Sequence, residues 1–245
     1  MPLPSSTSTR AHGAPTALRM VAGLVATLLL AGCGLLTPPS PASLLRFQFT
    51  PVTGTGYMNQ TLTIYNDSAR MVAPTLEFTA LDATGRPLPA VQVTTVYGSD
   101  RGRLVVAPGG GLDVLIFAGE GARLAEDVAV SVRAAERVDA PAVGVEPIVA
   151  PVDDSGRVVD RNSPFAAVSL RNEDSEPMHV RLVYIIWTEP EGIERQQAER
   201  VVPIGDLIVI PPKLGTLVPV RGEAQTAMTD AAGHVPTSIK AYLSR

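Results

Sequence analysis

The chain has 245 residues, 45% of them hydrophobic and 18% charged, and its 24 acidic against 20 basic side chains give a formal net charge of -4. That apolar content excludes disorder throughout, and the acidic balance argues against nucleic acid, whose binders need a basic face to neutralise phosphates. A single cysteine excludes a disulfide framework, so any core must stand on packing alone.

The first 32 residues divide into three parts of different chemistry. Arg10 and Arg19 supply positive charge, residues 20–30 are mostly apolar, and Ala31 and Gly32 are small. The apolar run over 20–36 is interrupted by Thr27 and several glycines, and falls short of the roughly 20 strongly apolar residues that span a bilayer. It predicts a secretory signal over residues 1–32 that is removed. Removal takes Arg10 and Arg19 and no acid, leaving 18 basic against 24 acidic residues, a charge of -6.

The four residues Leu30-Ala31-Gly32-Cys33 resemble the lipobox of bacterial lipoprotein signal peptides. The resemblance implies a diacylglyceryl group on the Cys33 thiol, cleavage before Cys33 and acylation of the new amino terminus. Each buried methylene contributes about 0.8 kcal/mol, and stable anchoring needs two chains or a chain plus a basic patch. Two or three chains on one residue meet that requirement. The implied location is the cell envelope outside the cytoplasm. With Gly34 rather than aspartate after the cysteine, the resemblance points to the outer membrane in a diderm organism and otherwise to the plasma membrane.

Residues 33–44 carry prolines at 38, 39 and 41 and serines at 40 and 43, a composition that predicts an extended, semi-rigid tether. From Leu45 onward short alternating runs are separated by glycine, proline, asparagine and aspartate, which predicts antiparallel strands and an all-β fold. The runs in the first half are RFQFTPV, MNQTLTIYN, TLEFTALD, AVQVTTVYG, GRLVVAP, GLDVLIFAG and EDVAVSVRAAERV. In the last of these, Val128, Val130 and Val132 share one face while Ala129, Ser131 and Arg133 share the other.

The second half repeats the plan. Residues 61–85 align with 167–192, with Asn66 opposite Asn172, and LVVAPGGGLDVLI aligns with IVIPPKLGTLVPV. The register predicts two tandem β-sandwich domains of about seven strands, over 45–139 and 143–245, joined by DAPAVGVEP. The connection before the final strand is longer in the second copy, GEAQTAMTDAAGHVPT in place of AGEGARLAED, and is where an added recognition element is expected.

The stretch LEFTALDATGRPL, in which Phe78 and Asp82 keep the motif's first and last positions, is similar to the motif of FxLYD-type bacterial envelope domains, as are the turns YNDSA and RNEDSEP. Ala80 and Leu81 replace that family's leucine and tyrosine, and Ile185 and Glu189 occupy the matching ends in the second copy. The resemblance implies immunoglobulin-like sandwiches found in secreted and lipid-anchored proteins. It implies no activity, since sandwich folds host many.

Candidate chemistry is sparse. His12 falls in the signal, and His179 and His234 lack the partners and spacing of a zinc site. No G-x-S-x-G elbow occurs. Gly109, Gly110 and Gly111 lack the lysine and following helix of a phosphate loop and predict a hairpin turn. Asp153, Asp154, Asp160 and Asn162 lack the alternation of a calcium loop and predict an inter-strand turn. No catalytic residue, metal or cofactor is therefore expected. The strand HVRLVYIIWTE is apolar on both faces, so Val183, Ile185 and Trp187 project outward where the first copy has Glu77 and Thr79. Two readings stay open: the first domain or the loop PEGIERQQ covers this face, or it docks an envelope protein partner. The expected function is a non-catalytic, membrane-anchored binding or structural module. The alternative is an envelope glycan- or peptide-processing enzyme with its site at the domain junction.

Overall fold

The computed structural model describes residues 40–52, 59–140, 146–189 and 196–245. The signal, Cys33, most of the linker around 141–145 and most of the loop at 190–197 lie outside them. Among the described residues there are thirteen strands: β1 (Leu45–Thr50), β2 (Thr61–Asn66), β3 (Val72–Leu81), β4 (Gln92–Thr95), β5 (Gly111–Ala118) and β6 (Asp127–Arg137) in the first half. The second half has β7 (Ile148–Val152), β8 (Ala167–Arg171), β9 (Met178–Trp187), β10 (Ala198–Pro203), β11 (Ile208–Ile210), β12 (Gly215–Pro219) and β13 (Thr237–Leu243). Among the described residues one α-helix, α1 (Glu223–Ala231), precedes β13. The fold is all-β, and every strand pairing is antiparallel.

The end of the proline-rich tether is not extended. Pro41–Leu44 form a 3₁₀ turn, in which Ser43 N–H and Oγ both donate to Ser40 O, at 3.0 and 2.8 Å. Ser40 keeps the extended backbone favoured before proline, and Pro41 takes a first-turn position where its missing N–H costs nothing.

In the first half β1-β2-β5-β4 form one sheet and β3-β6 a pair, and in the second β7-β8-β12 form one sheet while β9 is bonded to β10, β11 and β13. The same local network fixes both copies. Asn66 Nδ2 donates to Arg70 O (2.8 Å) and Val106 O (3.0 Å), and its Oδ1 accepts from Ser68 N–H (3.0 Å). Asn172 does the same with Glu176 O (2.7 Å), Ile210 O (3.2 Å) and Asp174 N–H (2.7 Å). Each amide is buried and stitches a turn to a carbonyl across the half, because a buried amide must use its donors.

The fourth strand separates the copies. β4 pairs with β5, whereas β10 pairs with β9, so this strand changes sheets. The hairpin at the triple glycine is present: Gly110 N–H donates to Ala107 O, and Gly110, at φ +136, lies where a Cβ would come within 2.6 Å of Ile64 O.

Residues 39–245 form one compact unit whose two cores interlock. Met71, Ala73 and Val105 of the first half pack into the cluster around Leu170, Val180 and Tyr184. In return Val183, Ile185, Trp187 and Ala198 pack into the cluster around Leu62, Val72 and Leu115. Backbone bonds continue the join. Val72 and Val106 exchange hydrogen bonds, Val105 N–H donates to Leu243 O at 2.9 Å, and Leu104 bridges Ser244. A hydrogen-bonded path thus runs from β6 through β3, 104–106, β13 and β9 to β10 and β11.

Candidate functional site

The apolar outward face of β9, for which cover and partner docking were both open, is inside the molecule. Val183, Ile185 and Trp187 are 4, 0 and 3% exposed, and the first half's core covers them, which is the covered reading left open by the sequence. Trp187 satisfies its one side-chain donor there, donating from Nε1 to Ser238 Oγ at 2.9 Å. A large apolar group on the outward side of a strand needs cover, and here the neighbouring half supplies it.

What opens to solvent is the flank of β13, bordered by two grooves. The larger, of about 540 Å³, runs between the 161–162 turn, the end of β9 and the stretch 233–240. Its charged lining is Arg161 and Lys240 against Glu189, with Asn162, Gln196, His234 and Ser238 as further hydrogen-bonding groups. The volume falls within the roughly 300–1,000 Å³ of small-ligand sites. Local structure explains the shape. Helix α1 buries Ala224, Ala227, Met228 and Ala231, a stripe at helical spacing, on the second core. It then releases the chain at Ala232 into the loop carrying His234. Thr237 Oγ1 donates to Arg161 O (3.3 Å) and meets Asn162 Oδ1 (3.2 Å), which pins the 161–162 turn to the start of β13.

The second groove, of about 290 Å³, lies at the junction of the halves. It is lined by Tyr97, residues 107–108 and 110–112, Glu146 and residues 240–243. The Tyr97 and Tyr242 rings pack at 5.0 Å between centroids, and burial pushes both phenols above their usual range. Lys240 borders both grooves. Arg181, Arg103 and Arg101 lie close enough to Tyr242 to favour its ionised form.

The other sequence candidates fall elsewhere. His179 is exposed on β9 opposite Val209. Asp153 Oδ1 accepts the N–H of Ser155 and Arg157 at 2.9 Å each, and Asp160 Oδ1 accepts that of Asn162 at 2.8 Å, so these carboxylates hold turns. Among the described residues no cluster of three or more His, Cys, Asp or Glu could hold a metal, and no helix is long and apolar enough to cross a membrane. His234 and Ser238 line one groove, yet among the described residues no hydrogen bond joins them, and the bond made by Ser238 Oγ is the one accepted from Trp187.

One buried carboxylate had no signal beyond its presence in an apolar strand. Asp113 on β5 is fully buried and accepts N–H from Tyr97 (2.8 Å), Ser99 (3.0 Å) and Val114 (2.8 Å). Burial pushes its carboxyl up to about 6, although the backbone donors favour the anion. Asp113 pairs with Leu62 as Val218 pairs with Val168, so the ladder puts valine at the matching place, one residue on from the Leu217 that the sequence alignment sets opposite Asp113.

No family model, curated protein or solved structure matches the chain. The functional reading therefore rests on the residues themselves.

Proposed function

We propose that the protein is a lipid-anchored bacterial envelope protein acting as a non-catalytic binding or structural module. The observation that carries this reading is the order of residues at the start of the chain. Arg10 and Arg19, an apolar run and small residues lead to Leu30-Ala31-Gly32-Cys33, and a β-rich body begins at Leu45. In this reading residues 1–32 are removed, two or three acyl chains on Cys33 hold the protein at the membrane, and a short proline-bearing segment separates lipid from body. The body then consists of two immunoglobulin-like modules that interlock. The larger groove beside β13 supports binding over a purely structural role, since it is of ligand size and collects Arg161 and Lys240, which make no ion pair among the described residues, with several polar groups.

Growth with labelled palmitate tests the anchor. Wild-type protein takes up label and partitions with membranes, and the Cys33→Ser variant does neither. An unlabelled wild type, or label that survives Cys33→Ser, contradicts the reading.

A further inference from the structure

The last strand has one open side. Trp187 N–H donates to Pro236 O at 3.0 Å and Ser244 N–H to His179 O at 2.9 Å, which fixes the alternation along the β9–β13 ladder. Residues 238, 240 and 242 therefore turn their backbone groups toward β9, and residues 237, 239, 241 and 243 turn theirs away. Leu243 uses its outward carbonyl on Val105 N–H. Among the described residues no backbone hydrogen bond takes up the outward groups of Ile239 and Ala241. An unpaired edge of this kind is a template for another strand.

The open edge is also where the two grooves meet. Thr237, Ser238 and Lys240 border the larger, and Lys240 and Ala241 border the smaller. The side chains along it carry the opposite sign to the chain as a whole. Among the described residues Arg161 and Lys240, with Arg103 and Arg181 beyond them, meet Glu189 and Glu146 at the grooves and the buried Asp113 behind Tyr242, whereas the full chain is at -4. Among the described residues Arg161 and Lys240 make no ion pair.

We propose that the outer edge of β13 over residues 237–241 is a strand-addition site for an extended acidic peptide segment of a partner protein. The inference rests on the binding-module reading and is independent of the lipid anchor. The outward N–H and C=O of Ile239 and Ala241 supply the ladder, which binds any extended backbone. Lys240 and Arg161 supply the selection, because carboxylates at alternate positions of the added strand come over the face that carries them.

The test uses the full body with seven-residue peptides that alternate valine with glutamate, and the same peptides with lysine in place of glutamate. Binding is read by fluorescence anisotropy, and backbone amides by hydrogen exchange. The glutamate peptide is expected to bind at least about tenfold tighter than the lysine peptide at low salt and to weaken as salt rises. Binding should slow exchange at Ile239 and Ala241, and N-methylation of alternate peptide amides should abolish it. Lys240→Glu should reverse the charge preference, and Ala241→Pro should remove one edge donor while leaving the β9 ladder intact. If Ala241→Pro fails to fold, Lys240→Glu and the N-methylated peptide decide the matter. Equal binding of both peptides, binding without protection at Ile239 and Ala241, or no peptide binding overturns the proposal. Inorganic phosphate that perturbs His234 and Lys240 without protecting the two amides also overturns it, while leaving the binding-module reading in place.

Discussion

The strands β3 and β9 occupy matching places in the two halves, and their outward faces have opposite fates. Glu77 and Thr79 on β3 are exposed, and Glu77 pairs with Arg133 of β6 at the surface. Val183 and Ile185, the residues 106 positions later, are buried in the first half's core. One strand plan thus serves both as a solvated wall and as an internal joint, and the difference resides in the outward residues alone. The inward sets, Leu76 and Ala80 against Leu182 and Ile186, are buried alike.

A charge placed on that face breaks the comparison most sharply. Ile185→Asp puts an unpaired carboxylate among apolar side chains and should destabilise the chain by about 4 kcal/mol or more, whereas Thr79→Asp should change it by no more than about 0.5 kcal/mol. Urea unfolding of both variants measures the contrast. Similar effects at the two sites would show that the β9 face is not a joint.

The asparagines test where the halves agree. Asn66→Ala and Asn172→Ala each leave two carbonyls without their amide donor and one turn N–H without its acceptor, so each should cost about 2–3 kcal/mol. Costs within about 1 kcal/mol of each other are expected. A loss at only one site would mean that the two networks do different work.

Asp113 sharpens the comparison through pH, because Val218 at the matching place cannot titrate. Its folded pKa of about 6 lies above the unfolded value of about 3.9, so between these values the native state binds more protons than the unfolded one. Its contribution therefore falls as pH rises from about 4 to about 6 and is level beyond, a loss on the order of 2–3 kcal/mol in full. Asp67, Asp82, Asp153 and Glu136, all lowered by their hydrogen-bonding partners, act in the opposite sense as their carboxyls ionise at lower pH. Subtracting the pH profile of Asp113→Asn from that of the wild type isolates the single group. A difference that does not change between pH 4 and 7 contradicts the assignment.

Much of the fold was legible because strands announce themselves by period two, and β6 alternates Val128, Val130 and Val132 inward as its sequence suggests. Asn66 and Asn172 were found as a pair because the repeat register aligns them, though their shared role needed coordinates. Helix α1 escaped because its buried stripe is built mostly of alanine, too weakly apolar to mark a face. The sequence shows that Val183, Ile185 and Trp187 are apolar and outward, but not what meets them. Cover by another part of the chain is a long-range property with no local periodicity. The open edge of β13 is similar, since it depends on Val105 pairing with Leu243 and, among the described residues, on no other strand continuing that ladder. Asp113 could not be ranked among the acids, because its burial follows from β4 joining β5 in one half while β10 joins β9 in the other.

The interlocked cores make one direct demand on the whole body. Met71, Ala73 and Val105 belong to one core and Val183, Ile185 and Trp187 to the other, so neither half can open without exposing apolar surface of its neighbour. Scanning calorimetry should show one transition, with calorimetric and van't Hoff enthalpies equal, and Ile185→Asp should lower it as a whole. Two transitions in the wild type, with only one moved by the substitution, would contradict the account.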